Sequence, residues 1–332
     1  MKIIRRSFSE LSITDKNEID QFIDLHNGLV FHETRFNEIA SQIYKTSFFY
    51  FIAYANNEIA GICPAHKINK GILKLLFSNL SSREIPYGGW IYNKKRTSLK
   101  SLMDNTKINF NECLIYSSGI QKDNNDYEKI GISNITKMNT LILDLSPSID
   151  DLFNVCIIAK QRNKIRRAQK LGITIEKIPF ANMDEFIDLS SELKEKVGIS
   201  LKPSEFYKKV MEIYAKEDKA VCLAAKYENR YISSMILVAN KNAAIAWVAG
   251  RKADLPNNLY QNELLWWESI IWAKEFGSKY LDLCGLDELK LPHLARIKMS
   301  FSKEIVPFFC FSKKSLFFRI VYRMQSVFSN IR

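Results

Sequence analysis

Between Lys160 and Lys170 the sequence carries Lys160, Arg162, Lys164, Arg166, Arg167 and Lys170 and no acid. Arg162, Arg166 and Lys170 fall four apart, on one face of a helix, while Ile158, Ile165 and Ala168 can pack inward. Such a face suits a polyanion: a tRNA backbone, a sugar-nucleotide diphosphate or a lipid headgroup. It equally suits a solvated helix surface. A second candidate is Tyr87-Gly88-Gly89-Trp90, where the glycines permit positive φ and close approach of backbone to a ligand. Lys202, Trp247, Arg251 and Tyr260 are further candidates for substrate contact. The last three flank the end of a three-strand meander, although Trp247 alternates with Ile245 and also reads as core. Asp282 reads as a base or as the cap of the turn that follows it. His26, His32, His66 and His293 lack ligand spacing, so no metal site is expected. No G-x-S-x-G elbow or Ser-His-Asp set suggests a covalent nucleophile.

The elements that must position these residues occur twice. Gln21-Phe22-Ile23-Asp24-Leu25 reappears as Glu185-Phe186-Ile187-Asp188-Leu189, and Arg35-Phe36 with Tyr44 as Glu205-Phe206 with Tyr214. Phe51–Asn56 then lines up with Leu223–Glu228. Three blocks in one order, with small drifts in offset, predict a duplicated domain rather than a solenoid. Each copy reads as two helices followed by a hairpin, with Asn56-Asn57 and Glu228-Asn229-Arg230 as turns. The second copy continues with a third strand and the amphipathic helix Asn262–Phe276, which stops at Gly277. A strand at Tyr280–Cys284, a short helix near Leu291–Met299 and a strand at Ile305–Phe311 follow. Ser146-Pro147-x-x-Asp150 predicts a helix start, and the helix is expected to run over 151–171. The boundary between domains therefore falls near residue 150.

This order of elements is that of a GNAT acyltransferase domain, and four motifs resemble the Fem-type acyltransferases, which are tandem-GNAT proteins. Pro86-Tyr87-Gly88-Gly89-Trp90 resembles the family's Y-G-G turn. Thr140–Leu145, leading into Arg162–Gly172, is similar to its R-x-x-I-R-K-A-x-K-x-G run. Tyr280–Gly285 resembles its D-x-x-G strand, and Ile297-Lys298-Met299-Ser300-Phe301 its F-K-x-x-F turn, with Ile for the usual Phe. The resemblance implies an α/β (α+β) fold of two tandem GNAT-like domains with a cleft between them. The N-terminal domain would cover 1–150 and the C-terminal domain 151–314, opened by the basic helix 151–171. A coiled-coil arm of the kind found in some members is not expected, since Leu189–Ala220 holds only short helices.

The resemblance also implies the activity. An N-acyltransferase would move an aminoacyl group from aminoacyl-tRNA to an amine of a cell-envelope, peptidoglycan-type precursor. The donor is a co-substrate, and no cofactor is expected. Lys298, at the end of the last helix, would be the catalytic cation, partly exposed and facing the cleft. It would stabilise an oxyanion or the departing ribose oxygen. A thioester-dependent transferase acting on an amino sugar or polysaccharide precursor is the second reading. It is weakened by Leu255–Tyr260, which lacks the glycines of a pyrophosphate-binding loop. A non-catalytic membrane- or RNA-binding scaffold is the third.

Lys plus Arg exceed Asp plus Glu by 48 − 36 = 12, consistent with a polyanionic partner. The six scattered cysteines read as free thiols in a reducing compartment. No signal peptide or membrane span is read, so a cytoplasmic location is expected. The segment 315–332 is expected to be an amphipathic helix. Leu316, Phe317, Ile320, Val321, Met324, Val327, Phe328 and Ile331 form an apolar stripe beside Arg319 and Arg323. It would either pack on the body or lie on an anionic membrane, peripherally at its inner face.

Overall fold

The computed structural model describes residues 1–80, 85–120, 135–196, 198, 202–256, 258–289 and 291–321. The chain divides into two compact units, Met1–Met138 with the segment from Pro307 onward, and Asn139–Val306. The division thus falls at 138/139 and again at 306/307, where the sequence suggested one boundary near 150 and a separate tail from 315.

The first unit contains strands β1 (Lys2–Ser7), β2 (Ser47–Ala55), β3 (Glu58–Lys70), β4 (Leu73–Phe77), β5 (Ile91–Tyr92) and β6 (Glu112–Ser117). Next come β7 (Thr136–Asp144), β8 (Thr174–Lys177), β9 (Ala220–Tyr227), β10 (Arg230–Ala239), β11 (Ala243–Arg251), β12 (Tyr280–Asp282) and β13 (Glu304–Lys314). In the first unit the order is β1-β2-β3-β4-β6, closed by residues 310–314 of β13. In the second it is β8-β9-β10-β11-β12, closed by β7. Neighbours are antiparallel except at one place in each unit: β4 runs parallel to β6, and β11 parallel to β12. Each unit also repeats one succession of elements. A strand is followed by two helices (Ile13–Leu25 and Thr34–Tyr44; Met183–Lys196 and Ser204–Tyr214) and a three-strand meander. A helix (Leu99–Asn105; Gln261–Phe276) and the parallel strand complete it. This is the duplicated GNAT-like architecture that the repeats predict.

Local chemistry explains the matching hairpins. Asn56 and Asn57 have φ of 52° and 63°, and Glu228 and Asn229 have 48° and 60°. Both are two-residue turns with two left-handed residues, the geometry that matches strand twist. The second turn is therefore one residue shorter than expected, and Arg230 already belongs to β10. The helices between Leu189 and Ala220 are short, with 14 and 11 residues in the two that border and fill this stretch. No coiled-coil arm occurs among the described residues.

One expected helix is broken. The 151–171 segment forms a single turn at Ile149–Asp151, a wide turn through Cys156, and a helix only at Ala159–Lys170. The cap is Ser148, which accepts from Asp151 N at 3.1 Å, whereas Ser146 bonds back to Asp144. Ile157 and Ile158 are extended, and Ile157 is fully buried, so its anchoring in the core interrupts the helix. The second unit's core is built on the Gln261–Phe276 helix, whose Leu264, Leu265, Trp266, Trp267 and Ile270 pack with Leu237, Ala246 and Leu281. Each such side chain contributes about 1.5–3 kcal/mol on burial. Trp266 and Trp267 are thereby core residues.

Candidate functional site

In the second unit β11 and β12 pair in parallel over only three positions, Ala243↔Tyr280 to Ile245↔Asp282. There β12 ends, while β11 continues to Arg251. The chain must turn sharply after Asp282, and Cys284 does so with φ of 57°, unusual for a residue bearing a Cβ. Asp282 is fully buried and holds this turn. Its Oδ1 accepts from Cys284 N at 2.9 Å and from Thr140 Oγ1 on β7 at 2.5 Å. Leu283 N and Leu286 N donate to the carbonyls of Leu141 and Asn139, both at 2.8 Å, extending the same grip. Between the two roles the sequence left open, Asp282 has the geometry of a cap.

Lys298 comes to this turn from the helix Pro292–Met299. Its Nζ donates to Cys284 O at 2.5 Å and Gly285 O at 2.9 Å. It is 7% exposed rather than partly exposed, because the helix presses it onto the turn instead of into solvent. Burial pushes the ammonium below the usual lysine value, against the attraction of Cys284 and Asp282. An ammonium has three N–H donors and two are committed to carbonyls. The third is available for an oxygen that develops charge.

The N-terminus of the Gln261–Phe276 helix forms the second part of the site. Tyr260 caps it in a left-handed conformation, φ 57°. Lys164 Nζ and the Arg167 guanidinium each lie 5.5 Å from the Tyr260 ring centroid. Glu263 occupies the helix's first turn, 7% exposed, and pairs with Lys164 at 2.8 Å. A carboxylate where the helix amides converge makes this end unreceptive to a pyrophosphate.

The remaining candidates separate. Arg162 Nη1 donates to the carbonyls of Asn154 at 2.8 Å and Ile157 at 2.5 Å, so it ties the broken helix together. Arg166 lies over the Phe153 ring at 5.2 Å, and both Arg166 and Arg167 are exposed. Trp247 is the extra residue of a bulge, since the β10/β11 register passes from Ile236↔Val248 to Leu237↔Ala246. Its ring packs edge-on against Phe206 and Tyr207 at 5.5 and 5.7 Å. Arg251 is half-buried, with Nε lacking a hydrogen-bond partner, as does Oγ of Ser233 directly across β10. Lys202 is half-buried at the approach to the Ser204–Tyr214 helix.

Tyr87, Gly88, Gly89 and Trp90 belong to the first unit and are packed in it. Tyr87 and Trp90 are 1% and 0% exposed. A Cβ on Gly88 would lie 1.9 Å from Ser78 O, and Gly89 has φ of 80° with Tyr116 Oη 2.6 Å from its would-be Cβ. The close approach the glycines permit is to this unit's own backbone and Tyr116. Sequence reasoning did not single out Thr140, Cys284, Lys164 with Glu263, or Ser233. Glu263 alone left a signal, an acid in a helix's first turn.

Residues 128–244 match the family model described as the FemAB family. Over that segment the sequence resembles the Fem family. Among solved structures it is similar to FemX, at 13% identity over 98% of this chain and 99% of that one, with a TM-score of 0.72. It is also similar to the C-terminal domain of a putative lysylphosphatidylglycerol synthetase from Agrobacterium fabrum, at 10% identity, 90% and 91% coverage and a TM-score of 0.55. L-PGS from Bacillus licheniformis follows at 12% identity, 90% and 92% coverage and 0.52. At these identities the likeness is one of fold. No curated protein matches the sequence.

Proposed function

We propose that this chain is a Fem-type acyltransferase that transfers an aminoacyl group from aminoacyl-tRNA to an amine on a peptidoglycan-type precursor. The observation that carries the reading is Lys298, a buried ammonium fixed at the end of β12 with one N–H uncommitted. In the reaction a neutral amine attacks the ester carbonyl carbon and an oxyanion forms. The C–O bond then breaks, and the ribose oxygen leaves with a proton while the new amide loses one. A fixed cation needs no rearrangement to stabilise either oxygen. Asp282 supports Lys298 by holding the turn that presents its carbonyl partners.

Glu263 with Lys164 favours a tRNA ester over a coenzyme A thioester, since the pyrophosphate of the latter would meet a carboxylate at that helix end. Exposed Arg166 and Arg167 are suited to a polyanionic donor.

The test offers charged tRNA or acyl-coenzyme A as donor, with a UDP-linked muramyl peptide as acceptor, to wild type and to Lys298→Met. Transfer from tRNA is expected, falling roughly a hundredfold in the variant. Losing the ammonium strands two carbonyls, so the variant also loses about 1–3 kcal/mol of stability. Folded fraction is therefore measured alongside. Turnover with acyl-coenzyme A alone, or undiminished transfer by folded Lys298→Met, overturns the proposal.

A further inference from the structure

The first unit gathers large apolar side chains on its surface at one place. Ile72 is 62% exposed, Phe110 70%, Leu316 76% and Ile320 52%. They come from three separate segments that the structure ties together. Asn111 Nδ2 donates to Ile72 O at 2.8 Å, joining the β3–β4 turn to the loop before β6. Ser315 Oγ donates to Phe110 O, and Ser315 N to Glu112 O at 3.2 Å, joining that loop to the helix that begins after β13. The Phe110 and Phe317 rings meet edge-on at 5.3 Å.

The expected stripe of the 315–332 helix splits here. Residues 316–321 are helical, and Ser315 Oγ accepts from Phe318 N at 3.1 Å. Phe318 is buried with Leu73 and Cys113, so one side of the turn packs on the body. Leu316 and Ile320 point away from that packing. Residues 322–332, including Arg323, Met324, Val327, Phe328 and Ile331, lie outside the described residues.

The charge around the cluster has one sign. Segments 70–74, 107–112 and 313–321 carry Lys70, Lys74, Lys107, Lys314 and Arg319, besides Lys313, whose Nζ turns inward to donate to the carbonyls of Met103 and Thr106 at 2.8 Å. Their sole acid is Glu112, which is 1% exposed and ion-paired with Arg5 at 3.0 Å. Asp104, which attracts Lys313, is paired with Lys100 at 2.8 Å. Protruding apolar side chains within a cationic rim are the composition of a surface that seats in an anionic lipid interface. The apolar tips enter the acyl boundary while the cations meet the headgroup phosphates.

We propose that this face of the first unit docks peripherally on an anionic phospholipid bilayer. The test is co-sedimentation of the full-length chain with phosphatidylcholine vesicles, with and without phosphatidylglycerol. Binding is expected only with phosphatidylglycerol and is expected to weaken as salt rises. An Ile72→Ser, Leu316→Ser double variant removes two exposed side chains that support no core. It is expected to keep its thermal transition and to lose about tenfold or more in vesicle partitioning. A wild-type chain that stays in the supernatant with anionic vesicles overturns the proposal. So does a folded double variant that pellets as well as wild type. Self-association that the double variant abolishes, without vesicle binding, overturns it in favour of a second copy as the occupant.

Discussion

His32 is fully buried between its own turn and the Tyr87–Trp90 segment. Its Nε2 lies 2.9 Å from Gly88 O and its Nδ1 3.1 Å from Leu29 N. The network therefore assigns a neutral ring that donates from Nε2 and accepts at Nδ1. Burial pushes its pKa from 6.5 down to about 4, outweighing the two backbone contacts. The unfolded chain binds this proton more readily, so stability is complete above pH 6.5 and falls as pH drops toward 4. The expected loss is about 3 kcal/mol. Denaturant titrations at pH 7 and pH 4.5, on wild type and His32→Gln, check it; an acid sensitivity unchanged by the substitution refutes the assignment. At this scale the sequence was partly legible. The glycines of Tyr87-Gly88-Gly89-Trp90 announced backbone that a side chain would obstruct. What they approach, Ser78 and Tyr116, lies at a distance along the chain that no local pattern encodes. The same limit hid Thr140, 142 residues from its partner Asp282. The F-K-x-x-F-like turn drew attention to Lys298 but carried no information on its burial.

The Gln261–Phe276 helix shows how an element is tuned at its end. Periodicity and Gly277 marked its course, and the glycine-free loop ahead of it was visible in the residues themselves. The ion pair of Glu263 with Lys164 was not, since 99 residues separate them. Removing the carboxylate would leave a helix N-terminus beside a released lysine, the arrangement that attracts anions. Glu263→Ala is expected to bind inorganic pyrophosphate about tenfold or more tightly than wild type by isothermal titration calorimetry. Equal affinities would remove Glu263 from the account of donor choice. The Ala159–Lys170 helix carries the opposite lesson. Its helical spacing was legible, but cap residues alone placed its start too early. Tertiary burial of Ile157 overrode the Ser146-Pro147 signal, and Arg162 was spent on the carbonyls that the break exposed.

The two units differ in how the chain supplies them. The second is contiguous: among the described residues its six strands and the core around the Gln261–Phe276 helix lie within Asn139–Val306, apart from the first residues of β7. The first lacks a closing strand until residues 310–314 pair with β6, bringing Phe309 and Phe311 into its core beside Tyr116. The duplication was legible as repeated helix–hairpin blocks. The return of the last strand was not, because nothing in Phe308-Phe309-Cys310-Phe311 distinguishes one sheet edge from another. A chain ending at residue 306 is expected to keep a folded second unit and to lose the first, leaving β6 as an open edge. Limited proteolysis of that truncated chain should yield a resistant fragment from the second unit alone; equal resistance of both would contradict it. This strand order also sets a timetable during synthesis. Domains ordinarily complete in the order in which they are made, at ~5–20 residues per second. Here the half translated first is finished last. Its sheet stands incomplete for roughly 10–40 s at that pace while the second unit is built, with an apolar core that only the returning strand can seal. The interval is one in which a nascent-chain chaperone that covers the β6 edge would raise the yield of folded protein.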